Sequence, residues 1–333
     1  MEKYHSSCYT NSMYALLQFL LLRNKKEREK TFYFFGRAIP KNVAEHFENS
    51  WHLNIRFKNE KGLNKYIKIY LLYKNLEKFI TRENLYNKPI YMLDNMSYSQ
   101  FFLNYMEECY LLEDGLATYQ IKEKIFLHKK KIKKLRDKYL KRCKTEYPIL
   151  GLSEKIKKIY LTGIAEIPEI IKNKVEIVNL KEKWQQLSFQ EQEEILKIFD
   201  LKNSDLIKWQ KLENRILLIT QPLSEDGIIS EKEKIEIYKE IVEKNKSENI
   251  MIKPHPREKT NYKNIFPNIE LIEGKFPLEI LMLLGINFKE VTTIFSTAAL
   301  NFKGITNVNF IGTENNEHLK EKVGEIKKVY YKI

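Results

Sequence analysis

Glycine and proline are scarce in this chain, 11 and 9 among 333 residues, so no stretch has the composition of a long flexible linker. The glycine-built phosphate loops are missing too. There is no GxxxxGKS or GxxxxGKT and no GxGxxG, which excludes the P-loop and the dinucleotide fingerprint as ways of cradling phosphate. HExxH and GxSxG are likewise absent, disfavouring zinc proteases and nucleophile-elbow hydrolases. No DxD occurs, so a metal-held diphosphate has no obvious ligands. The cysteines Cys8, Cys109 and Cys143 form no CxxC and are odd in number, which suits a reducing compartment and supplies neither a zinc site nor a disulfide framework. The apolar stretch Met13 to Leu22 is broken by Gln18 and is too short to span a bilayer. It has no basic flank or small-residue cleavage site of a signal peptide. The expectation is a cytoplasmic protein, with peripheral contact at the inner membrane face left open.

What is present describes a folded domain pair. Hydrophobic residues make up 43% and charged residues 31%, the balance of a soluble globular chain. The formal charge is +14, and much of the excess lies between Lys122 and Lys144. Ile125, Leu127, Ile132, Leu135 and Leu140 interleave there with lysines, the pattern of a basic helix with an apolar stripe. That stretch reads either as a solvated surface helix or as an attachment to anionic headgroups, at about 1 kcal/mol per basic residue near a membrane. No helix-turn-helix, zinc-finger or aromatic RNA-binding signature accompanies it, so nucleic acid is not an expected partner.

Strand-like and helix-like patterns alternate from end to end, predicting an α/β protein with parallel sheets covered by helices. In the first half, strands are expected at Lys3 to Cys8, Thr31 to Phe35, Pro89 to Leu93, Cys109 to Leu112, Lys158 to Leu161 and Val175 to Leu180. A second set starts with Ile216 to Ile219 and continues through Ile250 to Lys253, Ile269 to Ile272, Val291 to Phe295 and Val308 to Ile311. Between the sets the sequence turns polar and helical. The organisation is therefore a Rossmann-like domain over 1–185, a connection over 186–210 and a second Rossmann-like domain over 211–333. Two such halves with a cleft between them form the architecture of many nucleotide-sugar glycosyltransferases.

The richest segment is Ile252-Lys253-Pro254-His255-Pro256-Arg257-Glu258. It fixes one imidazole between two prolines directly after an apolar run. Proline locks φ and biases the preceding residue toward extended geometry, so this histidine's backbone is rigid. Ligands bind beyond strand ends in open α/β sheets, and an imidazole there can donate a proton. A histidine framed by turn prolines is also an ordinary loop residue; the neighbouring segments bear on the choice. In Ile294-Phe295-Ser296-Thr297-Ala298-Ala299-Leu300 a strand passes toward a helix through two hydroxyls. Such residues cap helices and, with free N–H groups, also bind anions. Acidic-glycine motifs occur twice, Glu113-Asp114-Gly115 and Glu225-Asp226-Gly227. Each is a strong turn signal, and each offers a carboxylate that could take a proton from a sugar hydroxyl.

Taken in order, Ser7-Cys8-Tyr9-Thr10, Leu112-Glu113-Asp114-Gly115, Pro254-His255-Pro256-Arg257 and Phe295-Ser296-Thr297-Ala298-Ala299-Leu300 resemble the bacterial sialyltransferases of glycosyltransferase family 52, including the lipooligosaccharide α-2,3-sialyltransferases. The resemblance covers most of the chain. It implies a GT-B fold that moves sialic acid from CMP-N-acetylneuraminate to a terminal galactose of a lipooligosaccharide or capsular polysaccharide, inverting the anomeric centre without a metal or other cofactor. On it His255 is the general acid, Ser296 and Thr297 bind phosphate, Glu279 holds the ribose, and Lys253 and Pro254 lie on the donor side. The base is Asp226, with Glu225 and Asp114 as alternatives. Acceptor recognition falls to Thr10, Asn11 and Asp94, and relatives imply a homodimer. Two other readings stay open: another activity, such as glucosyl transfer, on the same scaffold, and a non-enzymatic basic protein binding anions or nucleic acid.

Overall fold

Strand Thr31–Phe35 shows how this chain builds a sheet. All five residues, Thr-Phe-Tyr-Phe-Phe, are buried, as expected for a parallel strand covered on both faces. The period of two sends Phe32 and Phe34 to one face, where they meet Phe79 and Phe102 at ring separations of 4.6 and 5.0 Å. Tyr33 and Phe35 go to the other, against Phe19 and Phe47 at 5.7 and 5.1 Å. Each aromatic pair adds about 0.5–1.5 kcal/mol beyond its buried area.

The computed structural model describes residues 2–53, 63–121, 147–211, 214–245 and 248–333. The basic stretch Lys122 to Lys144, with Cys143, lies outside the described residues. Two compact units divide the chain, Met1–Ile195 and Leu196–Ile333. The segment 186–210 carries two helices, Phe189–Ile198 and Asn203–Gln210.

The first unit's strands are β1 (Ser6–Thr10), β2 (Thr31–Phe35), β3 (Ser50–His52), β4 (Ile90–Met92), β5 (Cys109–Leu111), β6 (Ile156–Leu161) and β7 (Val175–Ile177). They form one sheet in the order β3-β2-β1-β4-β5-β6-β7, parallel throughout. The order reverses between β1 and β4, the switch point at which doubly wound sheets bind ligands. In the second unit β8 (Ile216–Ile219), β9 (Ile250–Lys253), β10 (Glu270–Leu271), β11 (Glu290–Thr293), β12 (Asn307–Phe310) and β13 (Val329–Tyr331) run in the order β10-β9-β8-β11-β12-β13. Its switch point falls between β8 and β11.

The alternating pattern thus yields two parallel-dominated sheets, with instructive departures. β13 pairs antiparallel with β12. β3 escapes the pattern because Ser-Trp-His is short, polar and half-buried. The expected strand Val175 to Leu180 stops at Ile177, since the Asn179 side chain accepts the Lys181 and Glu182 N–H groups and starts helix Leu180–Gln185. β1 begins later than expected and carries Thr10 within it. After β11 the chain enters a short 3₁₀ turn, Thr297–Phe302, rather than an α-helix. No helix among the described residues is long and apolar enough to cross a membrane.

Candidate active site

Register brings three loops of the second unit to one sheet edge. Ile219 pairs with Lys253 on one side and with Thr293 on the other, so β8, β9 and β11 end side by side, about 4.8 Å apart from strand to strand. From these ends emerge Thr220-Gln221, Pro254-His255 and Ile294-Phe295-Ser296. The loops are tied together across the switch point. Gln221 Oε1 accepts the Phe295 N–H at 3.0 Å, and the Gln221 N–H donates to Tyr238 Oη at 2.7 Å. Thr293 Oγ1 donates to the Ile219 carbonyl at 3.2 Å and accepts the Ser296 N–H at 3.1 Å.

His255 sits in a turn of its own sequence's making. Its carbonyl accepts the Glu258 N–H at 2.9 Å, an i to i+3 closure with Pro256 at the second position, where its fixed φ fits. The Glu258 carboxylate folds back to accept the His255 N–H at 2.7 Å. His255 Nδ1 accepts the Arg257 N–H at 3.2 Å, which assigns the ring proton to Nε2 in the neutral form. Burial, reinforced by the Arg257 and Lys253 charges and partly offset by Asp226 and Glu225, pushes the imidazole down to about 4. The protein groups alone therefore keep His255 neutral at pH 7.

The two acids before Gly227 have different surroundings. Both oxygens of Asp226 are gripped by the Arg257 guanidinium, and the aspartate is about one-third exposed, at 34%. Glu225 accepts from the Lys259 N–H at 2.6 Å, Lys234 Nζ at 2.9 Å and Ser224 Oγ at 3.0 Å. Burial alone would raise this carboxyl, but the Lys259 N–H, the Lys234 ammonium and the Ser224 hydroxyl outweigh it and bring it down to about 2. So satisfied a carboxylate is a poor proton acceptor.

Among residues expected on the donor side, Ser296 and Thr297 are half-buried at the start of the 3₁₀ turn, and Ser296 makes no side-chain cap bond. Pro254 is half-buried as well. Lys253 is buried, donates to the Gly274 carbonyl at 2.6 Å and lies 4.2 Å from the centre of the Phe276 ring. Burial pushes its amine down to about 7, against a smaller opposing pull from Glu258. Glu279 is buried at the start of helix Glu279–Leu283 and accepts from Asn301 Nδ2 at 2.7 Å.

In the first unit, Thr10 ends β1, Asn11 follows it and Asp94 follows β4, on either side of that unit's switch point. Thr10 is buried, and its Oγ1 exchanges bonds with the Ser12 backbone. Asn11 Oδ1 accepts the Ala38 N–H at 2.7 Å. Asp94 is buried and accepts the Gly151 N–H at 2.8 Å, holding a turn in which Leu150 and Gly151 both have positive φ, 61° and 82°. Burial drives this carboxyl up to about 6, with backbone N–H groups opposing. Glu113 is fully engaged by Tyr14, Tyr119 and Thr162. Asp114 differs: it is half-buried, makes no cap bond to the 3₁₀ turn it precedes, and has Asn95 as a hydrogen-bond partner. Burial raises its carboxyl, with Asn95 opposing.

The family model for glycosyltransferase family 52 matches residues 27–313 of this chain. The chain belongs to glycosyltransferase family 52. A relative by sequence is an uncharacterized protein of Haemophilus influenzae, 35% identical over 329 residues, covering 96% of this chain and 98% of that protein. The fold is similar to the α/β-galactoside α-2,3-sialyltransferase of Photobacterium phosphoreum, with a TM-score of 0.62 at 16% identity over 98% of this chain and 96% of that one. It is also similar to the 2,6-sialyltransferase of Photobacterium sp. JT-ISH-224, solved with CMP and lactose, with a TM-score of 0.54 at 13% identity over 89% of this chain and 69% of that one. The GT-B architecture of family 52 expected from the sequence is therefore the architecture found.

Sequence reasoning about this family 52 chain placed Glu258 and Gln221 within motif segments without giving either a role, and missed Lys234, Tyr238 and Tyr262; all five hold the loops around His255. One was within reach. A glutamate three residues after His255 and two after a turn proline carries the spacing of a reciprocal backbone cap. Lys234 looked like any lysine of an amphipathic helix.

Proposed function

We propose that this family 52 glycosyltransferase transfers sialic acid from CMP-N-acetylneuraminate to a terminal galactose with inversion, using His255 as general acid and Asp114 as general base. The carrying observation is His255 itself, fixed by its turn at the switch-point edge. As the bond from the anomeric carbon to CMP breaks, Nε2 of the doubly protonated ring gives its proton to the departing phosphate and leaves the imidazole neutral. The acceptor hydroxyl attacks that carbon and yields its proton to a carboxylate. The negative charge of the donor's phosphodiester, which grows toward a dianion as the bond breaks, raises the pKa of an imidazole beside it by charge attraction, so donor binding itself would protonate a histidine that is otherwise neutral. Ser296, whose hydroxyl is not spent on capping, supports a phosphate contact from the neighbouring loop.

Asp114 is favoured over Asp226 on electrostatics. A base working near neutrality gains from a raised pKa, and burial raises Asp114, whereas both Asp226 oxygens are committed to Arg257. The CMP and lactose held by the Photobacterium sp. JT-ISH-224 enzyme support the same donor nucleotide and a galactoside acceptor. The test is incubation with CMP-N-acetylneuraminate and a panel of galactosides, with mass detection of product. His255→Ala should reduce turnover by about 10²- to 10⁴-fold while CMP still raises the melting temperature. Stabilisation by UDP and not by CMP would replace the sialyl donor with another nucleotide sugar.

A further inference from the structure

We infer that Glu258 is the positioning residue for His255, and that Lys234, buried beneath it, holds the loops at the ends of β8 and β9 in one arrangement. The inference rests on the assignment of His255 as proton donor.

A carboxylate has about four acceptor positions, and this chain fills those of Glu258 with its own groups. Oε2 accepts the His255 N–H at 2.7 Å and the Thr220 hydroxyl. Oε1 accepts Tyr262 Oη at 2.6 Å and faces Lys234 Nζ at 3.6 Å. The Glu258 side chain is 1% exposed and that of Lys234 0%. Burying a carboxylate and an ammonium together is costly unless the partners are well placed. A packing role alone would be served as well by apolar residues. What distinguishes this network is where its members lie. Thr220 and Gln221 leave β8, and His255 leaves β9. Lys234 and Tyr238 sit one turn apart on helix Glu231–Lys244 and so share a face. From it Tyr238 accepts the Gln221 N–H at 2.7 Å, while Gln221 accepts from Phe295 at 3.0 Å, next to Ser296. Lys234 also binds Glu225 at 2.9 Å and Glu231 at 3.1 Å. One buried charge cluster thus sets the backbone that carries the proton donor and reaches the loop of the phosphate hydroxyls.

The experiment compares wild type with Glu258→Gln and Tyr262→Phe, measuring kcat, donor KM and the ring-nitrogen chemical shifts of ¹⁵N-labelled His255, assigned by their loss in His255→Gln. Glu258→Gln should lower kcat on the order of tenfold to a hundredfold, the cost of a small misplacement at a reacting centre, with donor KM nearly unchanged. Its His255 should shift from a single Nε2–H form to a mixture of tautomers. Tyr262→Phe keeps the carboxylate and removes one of its donors, so it should move both readouts the same way by a smaller factor. Wild-type kcat and a single tautomer in Glu258→Gln overturn the inference, as does a change confined to KM. If Glu258→Gln does not fold, the same result in Tyr262→Phe overturns it. Should wild type transfer no sialic acid, the functional reading falls, and the tautomer measurement still decides whether Glu258 orients this ring.

Discussion

Glu258 and His255 hold each other through a reciprocal pair of bonds: the carboxylate of one accepts the other's backbone N–H at 2.7 Å, and the His255 carbonyl accepts the Glu258 N–H at 2.9 Å. A turn closed at both ends leaves the imidazole little backbone freedom. The chemistry proposed for it depends on that restriction, and the consequences are measurable.

The His255 imidazole should titrate near 4 in the free protein and rise on CMP binding, as followed by NMR of the ring. The same depression makes stability fall on acidification. The unfolded chain takes up a proton near 6.5, whereas the folded one waits until about 4, so between those values protons favour the unfolded state. Asp94, raised from 3.8 to about 6, acts in the opposite sense over an overlapping range, so the informative quantity is a difference. The urea midpoint of His255→Gln should decline less than that of wild type between pH 7 and 5. Parallel declines would show that this ring is not held neutral by the fold.

Asp114→Asn and Asp226→Asn separate two candidate bases. Loss of the true base should cost about 10²- to 10⁴-fold in turnover with donor affinity kept; that loss is expected of Asp114→Asn. Asp226→Asn breaks a partly exposed ion pair with Arg257, worth about 0–1 kcal/mol, and should reduce turnover by less than about tenfold. The reverse ranking in transfer assays would move the base to Asp226.

Lys234→Met leaves Glu225 and Glu258 without their shared cation. The expected cost is about 3–5 kcal/mol in denaturant unfolding, as for other broken buried pairs. The defect should be smaller at pH 5 than at pH 7, since the Glu225 carboxyl, which the ammonium helps to hold low, protonates more readily without it. A pH-independent loss would point to packing instead.

Ser296→Ala should change stability by less than about 0.5 kcal/mol, because the usual cap penalty of about 1 kcal/mol requires a cap bond and Ser296 makes none. Its effect should appear in donor KM. A drop in melting temperature with unchanged KM would return Ser296 to an ordinary structural role.

Much of the fold was legible because it rests on local periodicity. β2, β8 and β9 were expected with the ends they have, since compact apolar runs bounded by polar residues leave little choice. The short edge strand β3 and the antiparallel β13 were not, because their pairing is set by neighbours rather than by their own residues. The helix expected after Phe295 is a 3₁₀ turn; small residues after a strand do not distinguish the two.

By itself the sequence determined the two Rossmann-like sets of strands, the ordered motifs of family 52 and the Pro-His-Pro-Arg-Glu turn, all of which depend on residues within a few positions of one another. Only the tertiary structure decided which carboxylates are spent. Asp226 meets Arg257 across 31 residues, Glu258 meets Thr220 across 38, and Gln221 meets Phe295 across 74. Whether an acid is free to take a proton depends on charges and donors brought to it by packing, and spacing along the chain carries no record of that.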